Sequence, residues 1–329
     1  MRILLWNLHG GYTDSLLSGT HDYLYLPAGV AGSGGPPQLH QPSAGTVTVL
    51  SPEQLRDAPP DLVVLQRLEE LGWAAELGLR PGVDVPALFV EHNTPQDGVP
   101  SSRHPLADRP ELTVVHVTHF NALVWDTGST PTAVVEHGVA DPGPRYTGEL
   151  SRLGFVVNEP VRRWRTTGTD LLSRFADHPV DAFGIDADRL PPALPQCAQL
   201  AYAGNLSPEE LYTALARRRA YLHLNRWTSL GLSLIQAMML GLPVLVLDTT
   251  EASRAVPPRA GALSTDVDVL VTEAARLLAD PDEAAARGRV ARAAALERYG
   301  IERFVAAWDE VLTRVASDGG GGPSSSSST

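Results

Sequence analysis

Short apolar runs recur along this chain, each followed by helix-forming or loop residues, and the series occurs twice. MRILLWNL (1–8), TVTVL (46–50), DLVVLQ (61–66), PALFVEH (86–92), LTVVHV (112–117) and TAVVEHG (132–138) make the first series. Continuous runs rich in Val, Ile and Leu suit strands buried on both faces, as in parallel sheets built from βαβ units. A Pro- and Gly-rich stretch, ADPGPRYTG (140–148), reads as a hinge. The pattern then restarts with GFVVNEP (154–160), VDAFGI (180–185), QLAYAG (199–204), AYLHLN (220–225) and LPVLVLD (242–248). Between these lie expected helices over 169–178, 207–219 and 233–241. The second of them opens with Ser207 as N-cap, Pro208 at the first position and Glu209 and Glu210 in the first turn. Residues 267–300 read as two Ala-rich helices split near Asp280-Pro281. The expected architecture is α/β, with two Rossmann-like, doubly wound parallel-sheet domains facing a central cleft. Their expected extents are 1–145 and 146–300, with a C-terminal helix over 301–318 packing back on the N-terminal domain. The Gly- and Ser-rich tail 319–329 is expected to be disordered. Ligands of such sheets bind at the carboxyl ends of the strands.

Charge narrows the ligands. The formal net charge is −12, which argues against a nucleic-acid partner. All 26 basic side chains are arginine. A phosphate site must therefore use guanidinium groups, backbone amides or helix N-termini. No apolar run reaches the roughly 18 residues that span a bilayer, and the N-terminus reads as a first strand, so a cytoplasmic location is expected. The single cysteine, Cys197, reads as a small buried hydrophobe. Asp266-x-Asp268 reads as helix capping, and no other metal-ligand spacing, nucleophile elbow or Walker loop is present.

The stretch Leu222–Ala252 reads LHLNRWTSLGLSLIQAMMLGLPVLVLDTTEA. It holds Gly231, Leu232, Ser233, Leu234, Ala237, Met238, Gly241, Leu242, Pro243 and Val244 in the order found in the family 4 glycosyltransferases of the GT-B fold, which it resembles. A glycine-flanked loop entering a helix presents free N–H groups and a partial positive charge, which suits a diphosphate. The resemblance implies donor contacts from Ser229, Leu230, Gly231, Leu232 and Ser233. It places Thr228 where the family has a carboxylate at the donor sugar, and Gln236 where it has the carboxylate that binds ribose. An amide both donates and accepts, so Gln236 can still meet a diol.

A second stretch, VVNEPVRRWRTTGTDLL (156–172), matches the family at Gly168, Asp170, Leu171 and Leu172. The family's Arg and Lys, which grip the donor pyrophosphate, fall at Arg162 and Thr167. Arg163 and Arg165 stand close enough to replace the Lys. In the first half, His92 resembles a family histidine that faces the donor sugar. His9-Gly10-Gly11 resembles the Gly-rich first loop, whose amides at Gly10 and Gly11 approach donor or acceptor. Glu251 falls where relatives contact the donor sugar. Glu136 and His137 at the hinge read as structural, as do His21, Asp22, His116 and His119, which could otherwise line an acceptor. The resemblance implies a sugar transfer from a nucleotide-sugar to an acceptor hydroxyl, with retention and without metal or resident cofactor. The acceptor is a glycan, a lipid-linked sugar or a small molecule, and relatives often make peripheral membrane contact. Two rivals remain: a catalytically weakened binding partner on the same fold, suggested by Thr228 and Gln236, and a nucleotide-sugar epimerase.

Overall fold

The computed structural model describes residues 1–6, 10–26, 45–57 and 59–319. It divides into two compact units, Met1–Val139 joined by the segment from Ile301, and Ala140–Gly300.

The first unit carries β1 (Arg2–Trp6), α1 (Gly10–Leu16), β2 (Asp22–Leu26), β3 (Thr46–Val49), α2 (Pro52–Asp57), β4 (Leu62–Leu65) and α3 (Glu69–Glu76). It continues with β5 (Ala87–Glu91), β6 (Thr113–His116), α4 (His119–Val124) and β7 (Thr132–Val134). The second carries β8 (Leu150–Val156), β9 (Val180–Phe183), α5 (Leu190–Ala193), β10 (Leu200–Gly204), α6 (Pro208–Leu215), β11 (Arg218–His223), α7 (Leu232–Leu240), β12 (Val244–Leu247), α8 (Ala252–Ala255), β13 (Gly261–Ser264), α9 (Val267–Ala279) and α10 (Pro281–Tyr299). The chain then returns to the first unit as α11 (Ile301–Gly319).

Both sheets are parallel throughout. Their orders are β3-β2-β1-β4-β5-β6-β7 and β10-β9-β8-β11-β12-β13. Strand order therefore reverses between β1 and β4, and again between β8 and β11. Those two points are where a doubly wound sheet opens a ligand crevice.

Alternation along each strand builds the layers. Ile3 and Leu5 pack with Tyr12, Leu16 and the α11 stripe Phe304, Trp308, Val311, Leu312 and Val315. Leu4 and Trp6 face the opposite layer with Leu55 and Ala74. The α11 spacing of three to four residues is the stripe of an amphipathic helix seated on a core. Truncating Phe304 or Trp308 to Ala should cost about 3–5 kcal/mol. In the second unit, Leu270, Ala274 and Leu277 of α9 cover Leu222, Leu224, Leu245 and Leu247. A Cβ at Gly288 of α10 would overlap the Gly241 carbonyl, so α10 lies directly on the end of α7 and fixes its position.

Several local expectations are corrected. Gly10 and Gly11 open a helix and not a loop, and His9 lies outside the described residues; the Gly-, Pro- and Ser-rich stretch 28–45, which reads as a loop in sequence, lies outside them over 28–44. The pattern missed the strands DYLYL and GALS at 22–26 and 261–264. The expected strand over 154–160 begins earlier, at Leu150, and ends at Val156, because Glu159 takes φ +51° just before Pro160. Residues 169–175 form a 3-10 helix, not an α-helix. Arg218 and Arg219, expected at the end of a helix, belong to β11, where Arg218 Nε donates to Asp181 at 2.9 Å and Arg219 Nε to the Gly148 carbonyl at 2.7 Å. Tertiary pairing overrides helix propensity there.

Candidate functional site

At the second unit's reversal point, the loops after β8 and β11 are knit together. Gly168 sits at φ +68°, and a Cβ on it would overlap the Leu224 carbonyl. Arg226 N–H donates to the Thr166 carbonyl at 2.8 Å. The Arg226 guanidinium donates to the Arg165 carbonyl at 3.1 Å and to both oxygens of Asp170, at 2.5 and 2.9 Å. Burial opposes ionisation of Asp170, but the hydrogen bonds and charge of Arg226, with Arg165, hold its carboxyl below the usual range. Asp170 thus fixes the loop.

Three arginines stand on the first of these loops, and they differ. Arg162 is exposed and paired with Glu159, Nε to Oε1 at 2.8 Å. Arg165 is exposed and paired with Asp170 at 2.8 Å. Arg163 is half-buried and makes no hydrogen bond or ion pair through its guanidinium among the described residues. Burial, with the charge of Arg162, disfavours its protonated form, against the nearby Glu159 carboxylate, which favours it. Thr167, at the family's Lys position, is buried and spends its hydroxyl on the Arg163 carbonyl and on Thr169.

The second loop ends at Gly231, the N-cap of α7, which has no side-chain cap. No described acceptor takes the backbone N–H of Leu232 or Ser233, so the positive end of this nine-residue helix is open. Ser233 Oγ accepts from the Tyr221 hydroxyl at 2.9 Å, which leaves its own proton to donate outward. Thr228 Oγ1 accepts from Asn225 Nδ2 at 3.4 Å. Gln236 Nε2 donates to the Tyr212 hydroxyl at 3.0 Å. His223 lies behind Gly231: a Cβ there would come within 2.8 Å of the imidazole Cε1. Burial depresses the His223 pKa to about 4, so the ring is neutral near pH 7. Ser229 and Leu230 are buried. Glu251 is placed in the interior, where it pairs with Arg254 at 2.9 Å and lies 3.9 Å from Arg298. It stands at the N-cap position of α8 without a side-chain cap.

In the first unit, Gln66 and His92 end β4 and β5. His92 Nε2 lies 3.0 Å from Gln66 Oε1, and the imidazole meets the Tyr12 ring edge-on at 4.6 Å. Gly10 is exposed, and a Cβ on it would meet nothing within 4 Å. Glu70 is fully buried; burial raises its pKa, against bonds from the Gln66 and Arg67 N–H groups. Glu91 accepts from His104 Nε2 at 3.0 Å, because His104 Nδ1 already accepts from Leu106 N–H. His21 pairs with Asp309, Asp22 accepts from Thr46, and His116 is fully buried at the end of β6. His223, Tyr212 and the Asp170–Arg226 pair had no signal in the sequence, since each depends on a contact across the fold. Among the described residues no group of three or more His, Cys, Asp or Glu could hold a metal ion, and no helix is long and apolar enough to cross a membrane.

Residues 165–310 match the family described as glycosyl transferase-like. Sucrose-phosphate synthase from Thermosynechococcus elongatus superposes with a TM-score of 0.68 at 15% identity, over 96% of this chain and 99% of its own. Anabaena HepE, solved with UDP-glucose, does so with 0.68 at 14% identity, over 95% and 100%. The chain has the GT-B fold of the glycosyltransferases. This GT-B chain also resembles S. aureus TarM, solved with UDP, at a TM-score of 0.65 and 14% identity; 79% of it is covered, and it spans 58% of the TarM chain. No curated protein matches the sequence. The family match includes the loop from Arg165, the open end of α7 and the helices behind it.

Proposed function

We propose that this GT-B protein is a glycosyltransferase that takes a sugar from a nucleoside-diphosphate sugar, UDP-linked in the first instance, to an acceptor hydroxyl. The observation that carries this reading is Arg163, a half-buried cation without an ion pair among the described residues, at the reversal point of the second sheet. A desolvated guanidinium is costly unless an anion meets it. A diphosphate held by Arg163 and by the N–H groups of Leu232 and Ser233 supplies that anion. The bound UDP species of HepE and TarM agree with this ligand class.

The rest of the reading follows from the chemistry. Arg163 and the α7 dipole stabilise the charge that develops on the leaving diphosphate, so the reaction proceeds without a bound metal. Retention is what the resemblance to the family implies, and in a retaining route of this kind the leaving phosphate oxygen takes the acceptor proton. Ser233 Oγ–H and Thr228 are the donor-side hydroxyls. The first unit is assigned to the acceptor, a glycan, lipid-linked sugar or small molecule, and His92 keeps the donor-sugar role that the resemblance implies. Arg162 and Arg165, already ion-paired, support the loop.

A thermal-shift screen against UDP, GDP, ADP, CMP and dTDP, with EDTA present, tests the donor site. A rise with one nucleotide that survives Arg162→Ala and is lost in Arg163→Ala is the expected result. Stabilisation without any sugar transfer, for which the missing carboxylates at Thr228 and Gln236 argue, would make the protein a nucleotide-sugar binding partner. No stabilisation by any nucleotide removes the donor-site assignment.

A further inference from the structure

Two polar side chains stand behind the open end of α7. Leu222 of β11 and Leu224 beyond it pack with α9, so alternation turns Tyr221 and His223 to the opposite layer, toward α7. Tyr221 is fully buried, and its hydroxyl donates its one proton to Ser233 Oγ at 2.9 Å. His223 Nδ1 lies 3.5 Å from that same hydroxyl oxygen. Because the Tyr221 proton is committed, the imidazole meets the oxygen with Nδ1–H, and a neutral ring then carries its lone pair at Nε2. No described residue bonds Nε2, although only 5% of His223 is exposed. That edge of the ring lies at the helix start: a Cβ on Gly231 would stand 2.8 Å from Cε1, 3.5 Å from Nε2 and 3.5 Å from Asn225 Nδ2. A buried nitrogen with neither proton nor partner thus lies against the N-cap of α7, where the amides of Leu232 and Ser233 are open.

We propose that His223 is a donor-site residue that takes up a proton at Nε2 when a diphosphate binds at α7, so that donor binding consumes a proton and strengthens as pH falls. This rests on the reading that α7 holds the diphosphate. A lone pair beside phosphate oxygens is repulsive, whereas an imidazolium N–H makes a charge-assisted bond to them. Without a ligand nothing offsets the cost of charging the ring: burial alone depresses its pKa, to about 4. The groups that face it are uncharged. They are Tyr221 on its own strand, kept neutral by a pKa that burial raises, Val246 from β12, Gly231 and Ser233 from α7, and Asn225 from the loop that follows β11. A bound diphosphate is the anion that this ring lacks. Arg163, assigned to the same diphosphate, opposes a second positive charge, so uptake grows below neutral pH. The step takes one proton from the buffer and breaks no covalent bond. The new N–H then stands beside the charge that grows on the leaving diphosphate.

Calorimetric titration of the full chain with UDP-glucose tests the assignment. Its phosphates have no second proton to titrate near neutrality, unlike the terminal phosphate of UDP. Where the anion cancels the cost of burial, the bound ring returns to the ordinary imidazole value of about 6.5. Between pH 7.5 and 5.5 the wild-type affinity should then rise about tenfold, because the free ring stays neutral over that range and the bound ring does not. At pH 6, binding heats in buffers of different ionisation enthalpy should show the uptake of about three-quarters of a proton. His223→Gln, which offers an amide but no titrating nitrogen, should bind with an affinity independent of pH and without proton uptake. A wild-type affinity that does not move with pH, heats without proton uptake, or the same pH dependence in His223→Gln overturns the role given to His223 and leaves the donor site standing. Absence of UDP-glucose binding by wild type at every pH overturns the donor site, and this inference with it.

Discussion

The two units share one strand order and differ in what stands at the point of reversal. In the first unit Gln66 is bonded to His92, Glu70 to the backbone of Gln66 and Arg67, and Glu91 to His104, while Gln66 Nε2 and Arg67 Nη2 are buried without a hydrogen-bond partner among the described residues. In the second unit the structure leaves charge exposed to a partner: Arg163 has no ion pair among the described residues, and α7 has no side-chain cap. The fold supplies the place in both units, and among the described residues the second sets open helix amides and Arg163 on the loops at that place. The sheet order alone specifies no reaction.

The largest expected test of this contrast concerns two buried histidines, one per unit. His116 ends β6 and His223 ends β11, and burial lowers both pKa values to about 4, with the charge of His104 adding at His116. An unfolded histidine titrates near 6.5. Above that value both states are neutral, and the residues contribute no pH dependence. Below it the unfolded chain takes up protons that the folded chain refuses until about pH 4. Stability should fall across that window by up to about 3 kcal/mol for each residue. Urea unfolding at pH 7.5 and 4.5 measures this. His116→Leu and His223→Leu should each flatten the loss, and an unchanged slope in either variant refutes burial as its cause.

A smaller effect separates loop support from ligand contact. Asp170→Asn removes the carboxylate that holds Arg226 and should destabilise the protein by about 2 kcal/mol. Arg162→Ala breaks an exposed, solvent-screened pair and should cost much less. Equal losses in thermal unfolding would mean that the two pairs are alike. The smallest effect is on turnover. Gln236→Glu should raise sugar transfer by about threefold, because a charged acceptor bonds the diol more strongly. A fall in turnover would show that the amide is the tuned choice.

The sequence made much of the second unit legible. The order from Gly231 to Val244 located a strand, a helix start and a second strand, and Asp280-Pro281 marked the break between α9 and α10. These features are local, so spacing alone carries them. What remained hidden depends on distant contacts. Arg162, Arg163 and Arg165 look equivalent in sequence, and Glu159 and Asp170 decide which of them are engaged. The arginine neighbours of Glu251, Arg254 and Arg298, likewise carry no signal in its local sequence. Arg226 lies 56 residues from Asp170, and Gln236 lies 24 from Tyr212, separations that no periodicity reveals. In the first unit, DYLYL lacked a flanking helical pattern and was missed although it pairs with β1 along its full length.

Calorimetric titration of UDP into wild type and Arg163→Ala at pH 7.5 tests the central claim most directly. Wild type should bind one UDP per chain, and the variant should bind about 30-fold more weakly, the loss of a charge-assisted contact in a desolvated place. Equal affinities in the two proteins would contradict the assignment of Arg163 to the diphosphate and, with it, the account of the second unit given above.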